Sequence, residues 1–143
     1  MGSATDQCIG DVMVGPTSPI KETAMLPEIS DIFLKSPRNY LPVLSNDKRL
    51  VGIISLQDVK AHLNAGEELR AVIALDLMRP VEIMLTPKAR LMDALPTIMG
   101  SEMEMIPVVN SEREMRLVGS VSRGKTLGLL SEALGESSQE NQI

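Results

Sequence analysis

Eight consecutive residues, Gly119-Ser120-Val121-Ser122-Arg123-Gly124-Lys125-Thr126, fit the pattern G-x-x-x-x-G-K-[ST]. As a loop between strand and helix, such a stretch cradles phosphates with its amides and lysine and holds magnesium with its hydroxyl. The apolar run before it reads as a strand and residues 123–134 read as a helix, so the local setting is right. The wider setting is wrong. Only 17 residues follow Thr126, too few to complete a parallel nucleotide-hydrolysing sheet, and no upstream strand ends in an aspartate placed for magnesium. A second pattern, Ser55-Leu56-Gln57-Asp58, sets a hydroxyl and a carboxylate three residues apart where an apolar run gives way to a helix. By residue type it is a capping box with Asp in place of the usual Glu or Gln, or equally a pair of groups that can hold a polar ligand.

The remaining reactive side chains build nothing together. His62 is the only histidine, and a lone imidazole makes neither a histidine metal site nor a nucleophile's base without a partner. Cys8 is the only cysteine, which excludes an internal disulfide or a cysteine cluster and fits a reducing compartment. Met99, Met103 and Met105 offer soft thioethers. With ten Met, one Phe, one Tyr and no Trp in the chain, methionine is better read as filler of an aliphatic core or a cleft wall. No catalytic residue and no metal site is expected, and the chain is not read as an enzyme.

The 143 residues are 43% hydrophobic and carry a net charge of −5. The first figure permits a packed core. The second, with so few aromatics, excludes nucleic acid as a partner, since that affinity rests on Lys, Arg and stacking platforms. No apolar run is long enough to span a bilayer, so a soluble chain is expected.

The elements that must position these residues come in two copies. Asn39-Tyr40-Leu41-Pro42-Val43-Leu44, a polar turn, and Leu50-Val51-Gly52-Ile53-Ile54-Ser55 are matched by Glu104-Met105-Ile106-Pro107-Val108-Val109, a turn, and Leu117-Val118-Gly119-Ser120-Val121-Ser122. The prolines stand 65 residues apart and the glycines 67. Each block reads as a hairpin of two strands, so Gly119 belongs inside a strand. Helical spacing precedes each block, at 21–35 and 88–99, where Pro27 and Pro96 predict a late start or a kink. Helices follow at 56–63 and 123–134. Asp11-Val12-Met13 and Asp76-Leu77-Met78-Arg79-Pro80 open the two units, and a strand is expected at 83–85. The expected organisation is a cloning remnant or disordered stretch over 1–8, repeat 1 over 9–65, a connector over 66–74, repeat 2 over 75–134 and a flexible tail over 135–143. Neither repeat is large enough to bury a full core alone.

This duplicated pattern resembles the tandem CBS (cystathionine-β-synthase) domain pair over residues 9 to 134. The resemblance implies an α/β fold of two pseudo-symmetric β-α-β-β-α repeats packed through their sheets, acting as a regulatory module. Within the family, residues 39–60 look most like the cytoplasmic tail of chloride-channel (CLC-type) transporters. The family resemblance implies a homodimer of pairs, and the finer likeness an upstream transmembrane transport domain and a place on the cytoplasmic face of a membrane.

The resemblance also implies a cleft between repeats for ATP, ADP or AMP, with no cofactor required. Asp58 would accept the ribose hydroxyls in charge-assisted bonds, Ser55 would meet phosphate, and Thr86, Met103, Met105, Ile106 and Pro107 would complete the site from repeat 2. In repeat 2 the carboxylate position holds Lys125, which cannot accept such bonds, so one site is expected rather than two. A ligand-free dimerisation module is the alternative.

Overall fold

The computed structural model describes residues 6–64 and 69–140, the last five as backbone only. Repeat 1 contains helix α1 (Ile9–Val12), strand β1 (Ile20–Lys21), helix α2 (Leu26–Lys35), strands β2 (Tyr40–Leu44) and β3 (Leu50–Ser55), and helix α3 (Leu56–Asn64). Repeat 2 contains α4 (Ala74–Leu77), α5 (Leu91–Met99), β4 (Met105–Val109), β5 (Leu117–Ser122) and α6 (Arg123–Glu140). A short 3-10 turn, Leu69–Ala71, leads into it. No helix among the described residues is long and apolar enough to cross a membrane.

Both forward helices start later than 21 and 88, and only in α2 does a proline mark the start. Pro27 falls in the first turn of α2, where its missing amide has no partner to lose. Leu26, Ile29 and Phe33 then bury one face. Pro96 sits inside α5 without ending it, and Leu91, Ala94 and Ile98 still face the core.

The hairpins repeat residue by residue. Pro42 lies opposite Ile53 and Pro107 opposite Ser120, and each hairpin has an irregularity one pair further on. The prolines cost the ladder nothing, because they occupy non-hydrogen-bonded pairs whose partners bond outward. Ile53 exchanges both backbone hydrogen bonds with Arg79, and Ser120 exchanges both with Val14. Beyond β2, β1 adds a parallel strand. The strand expected at 83–85 shrinks to a single parallel pairing of Leu85 with Val108. The helix expected to end at 134 continues to Glu140, so α6 enters the region read as tail. Residues 1–5 of the stretch expected to be a remnant or disordered, residue 65 of repeat 1 and residues 66–68 of the expected connector lie outside the described residues.

The two cores are built by exchange. α1 of repeat 1 inserts Ile9, with Val12 and Met13 beside it, among Leu85, Leu91, Ile98, Ile106 and Val121 of repeat 2. The opening segment of repeat 2 returns Val72, Ala74 and Leu77 to Ile29, Leu41, Val43 and Ile54 of repeat 1. Neither four-residue helix could persist alone, since one turn does not recover its nucleation cost. Packing on the other repeat holds each in place. At the hairpin tips Arg49 pairs with Arg116, and its guanidinium donates to the carbonyls of Arg113 and Glu114.

Candidate functional site

Between the two hairpins lies a cleft of about 730 Å³. Residues 14–17, following the exchanged α1, form one wall; residues 37–40 lead into β2; residues 102–105 lead into β4; Leu117, Gly119, Ser120 and Arg123 form the far side. Pro42, Ile53 and Pro107 floor it. The paired approaches are shaped alike. The Ser36 hydroxyl accepts from the Arg38 amide at 3.3 Å, and that of Ser101 accepts from the Met103 amide at 3.0 Å.

Polar groups converge on these apolar walls. The Tyr40 hydroxyl donates to Glu102 at 3.3 Å, bridging the repeats. Burial, and next the Glu102 carboxylate, raises the tyrosine's pKa. Arg123 is committed to the Ser101 carbonyl and lies near Glu104. Arg38, half-buried at the cleft, makes no side-chain hydrogen bond or ion pair among the described residues. No group of metal-ligating side chains occurs among the described residues.

Of the seven expected site residues, Met103, Met105 and Pro107 line this cleft. Ile106 is fully buried in the core of repeat 2. Thr86 sits in the turn before α5, its carbonyl accepting from Ala89 at 3.1 Å, outside the lining. Ser55 and Asp58 are also outside it, occupied with one another. The Asp58 amide donates to Ser55 Oγ at 3.1 Å, the Ser55 amide donates to Asp58 Oδ2 at 3.2 Å, and Ser55 Oγ lies 2.7 Å from that oxygen. This is the capping box. Asp58 Oδ1 accepts from Arg79 Nε and Nη2 at 2.8 and 2.6 Å, so the carboxylate is clasped from the exchanged segment of repeat 2.

The pseudo-symmetric position has no such clasp. Val14 stands where Arg79 would be and Lys125 where Asp58 would be, and that side is open. The sequence contained a pointer to it: the 65-residue offset carries Met103 and Pro107 onto Arg38 and Pro42, which face the same cleft. Glu104 opens the second hairpin block and Arg123 falls within the phosphate-loop pattern, and by sequence both read as solvated surface charges.

The clasp has a pH signature. Burial favours the neutral form of Asp58, but the hydrogen bonds from Arg79 and Ser55 outweigh it and lower the pKa. A carboxyl lowered on folding adds stability above its unfolded pKa of about 3.9 and loses it as pH falls towards the folded value. Asp58→Asn keeps an oxygen that can accept from the Ser55 amide but loses its charge, and is therefore expected to cost about 1 kcal/mol at pH 7. Arg79 is 69% exposed, and its ion pair adds little. Urea titrations should show the gap closing below about pH 4; a gap independent of pH would contradict this account.

A CBS domain family model matches residues 9–65 and again 73–132. The chain belongs to the CBS domain family. As a CBS pair it is a regulatory module. No curated protein is significantly similar in sequence. Among solved structures, CBSX2 in complex with AMP is 22% identical with a TM-score of 0.71, covering 88% of this chain and 97% of that one. The CBS-pair protein CBSX2 from Arabidopsis thaliana is 20% identical with a TM-score of 0.73, covering 90% and 96%. A putative acetoin utilization protein (AcuB) from Vibrio cholerae is 18% identical with a TM-score of 0.73, covering 94% and 97%. At these identities the likeness is one of fold.

Proposed function

We propose that this CBS pair is a regulatory sensor that binds an adenosine nucleotide in the open cleft, with its phosphate on Arg38. The observation carrying the proposal is the uncommitted, half-buried Arg38 guanidinium beside apolar walls in a space of about 730 Å³, within the usual range for small-molecule sites. Prolines and methionines offer flat apolar contact to a base, while the guanidinium offers a fork to phosphate oxygens. The AMP complex of CBSX2 supports the ligand class. Binding would act on a host protein by favouring one arrangement of the two repeats over another.

Calorimetric titration with ATP, ADP and AMP tests this. Saturable binding of at least one is expected, weakened about tenfold or more by Arg38→Ala, while uncharged adenosine should bind both proteins alike. No heat with any nucleotide up to about millimolar concentration, where even weak sites register, would overturn the reading. It would leave a self-associating scaffold. Leu63, Leu127 and Leu134, at 49%, 52% and 60% exposure on the closing helices α3 and α6, favour that second reading. They also support a homodimer alongside the first. A membrane transport domain as host rests on the chloride-channel likeness of residues 39–60, with residues 74–80 in support, since the solved structures above carry other descriptions.

A further inference from the structure

We infer that Glu104 holds the sugar hydroxyls of the bound nucleotide, and so fixes its direction in the cleft and the preference for ribose over deoxyribose. This rests on the nucleotide reading above. Lys125 stands three residues after the strand-end Ser122, as Asp58 stands after Ser55, but an ammonium has no acceptor for hydroxyls.

A carboxylate reaches the same place from elsewhere. Glu104 Oε1 accepts from the Gly124 amide at 2.9 Å and lies 3.4 Å from Ser122 Oγ. It sits over the first turn of α6 as Asp58 does over that of α3. Its backbone completes the match: the Glu104 carbonyl accepts from Arg123 at 2.8 Å, as the Asn39 carbonyl accepts from Leu56 at 2.9 Å.

The two carboxylates differ in what remains to them. Arg79 takes the second oxygen of Asp58. Glu104 Oε2 lies 3.7 Å from Arg123 Nε and has no hydrogen bond among the described residues. Glu104 lines the open cleft, whereas Asp58 does not. A carboxylate accepts only and repels phosphate. Glu102, the other carboxylate of the lining, accepts from Tyr40, and Arg123 is held by the Ser101 carbonyl, which leaves Glu104 for the hydroxyl donors of a nucleotide and Arg38 for its phosphate.

The test is titration of the whole chain with AMP, ADP and ATP, each against its 2′-deoxy counterpart. The unaltered protein should prefer the ribonucleotide by about tenfold, as expected for a hydrogen bond to a charged group. Glu104→Gln should bring the ratio near one, because an amide oxygen still accepts from Gly124 but no longer as an anion. Adding Lys125→Asp to that variant restores a carboxylate beside Ser122 and should return the preference. A preference that survives Glu104→Gln, or that disappears instead with Asp58→Asn, overturns the inference while leaving nucleotide binding intact. Absence of binding by the unaltered chain brings down the nucleotide reading and this inference with it.

Discussion

Replacing Ile9 by alanine is expected to destabilise the protein by about 3 kcal/mol, within the usual range for a buried isoleucine, and the damage should appear in repeat 2. Ile9 is fully buried and packs with Leu85, Leu91, Ile98, Ile106 and Val121. Its amide donates to the Ala89 carbonyl at 2.8 Å, the next amide donates to Pro87 at 2.9 Å, and Leu91 donates back to Gln7 at 2.9 Å. These bonds fix the backbone of α1, so the core cannot collapse onto the missing side chain and a cavity remains. The midpoint of urea unfolding reads the size of the loss, and amide exchange reads its place. Local opening should expose β4 and β5 before β2 and β3. Faster exchange confined to β2 and β3 would contradict the exchanged cores.

That exchange was the part of the fold least legible in the sequence. The hairpins announced themselves, because Pro42, Gly52, Pro107 and Gly119 recur at nearly constant spacing and a strand's alternation is local information. The opening segments were visible as a second repeat, Asp11-Val12-Met13 and Asp76-Leu77-Met78. A three-residue match, however, says nothing of which core it enters. Only long-range packing decides that, and spacing within a segment does not record it. The strand expected at 83–85 shortens for a related reason: Ile83 and Leu85 both reach the core, but only Leu85 pairs with Val108.

The site was half legible for the same physical reasons. Ser55 and Asp58 were correctly seen as groups that could cap a helix, and the structure shows them doing so. Their availability depended on Arg79, 21 residues further on, which becomes a neighbour only through the exchange. Met103, Met105 and Pro107 follow from the family resemblance, which implies a ligand beside the segment that leads into and through β4. Arg38 holds the same place in the other repeat, and applying the duplication to that segment would have reached it. Glu104 could not be reached in this way, since its carboxylate acts at α6 across a fold that the spacing does not describe.

Gly119→Ala is expected to cost about 2–3 kcal/mol, at the upper end for forced overpacking, and to weaken nucleotide binding as well. A methyl group at Gly119 would stand 2.8 Å from the Val14 carbonyl oxygen and 2.9 Å from Met13 Sδ. The sulfur can swing aside, but the carbonyl is fixed by its bond from the Ser120 amide at 3.0 Å and by the returning bond from Val14 at 2.9 Å. Relief must therefore come from moving residues 14–17, which are a wall of the cleft. Gly52→Ala makes the corresponding approach to the side chain of Met78, at 2.6 Å from Sδ, 2.8 Å from Cγ and 2.9 Å from Cβ. Rotation can move Sδ and Cγ but not Cβ, whose place the backbone sets, so a loss of similar size is expected there. The two clashes can be separated by double variants. Met78→Ala removes the outer atoms and should recover part of the loss in Gly52→Ala, whereas Met13→Ala should recover little in Gly119→Ala because the carbonyl stays. Full recovery with Met13→Ala would show that the glycine accommodates a side chain and not the crossing backbone. A Gly119→Ala protein of unchanged stability would show that the exchanged segment is free to shift.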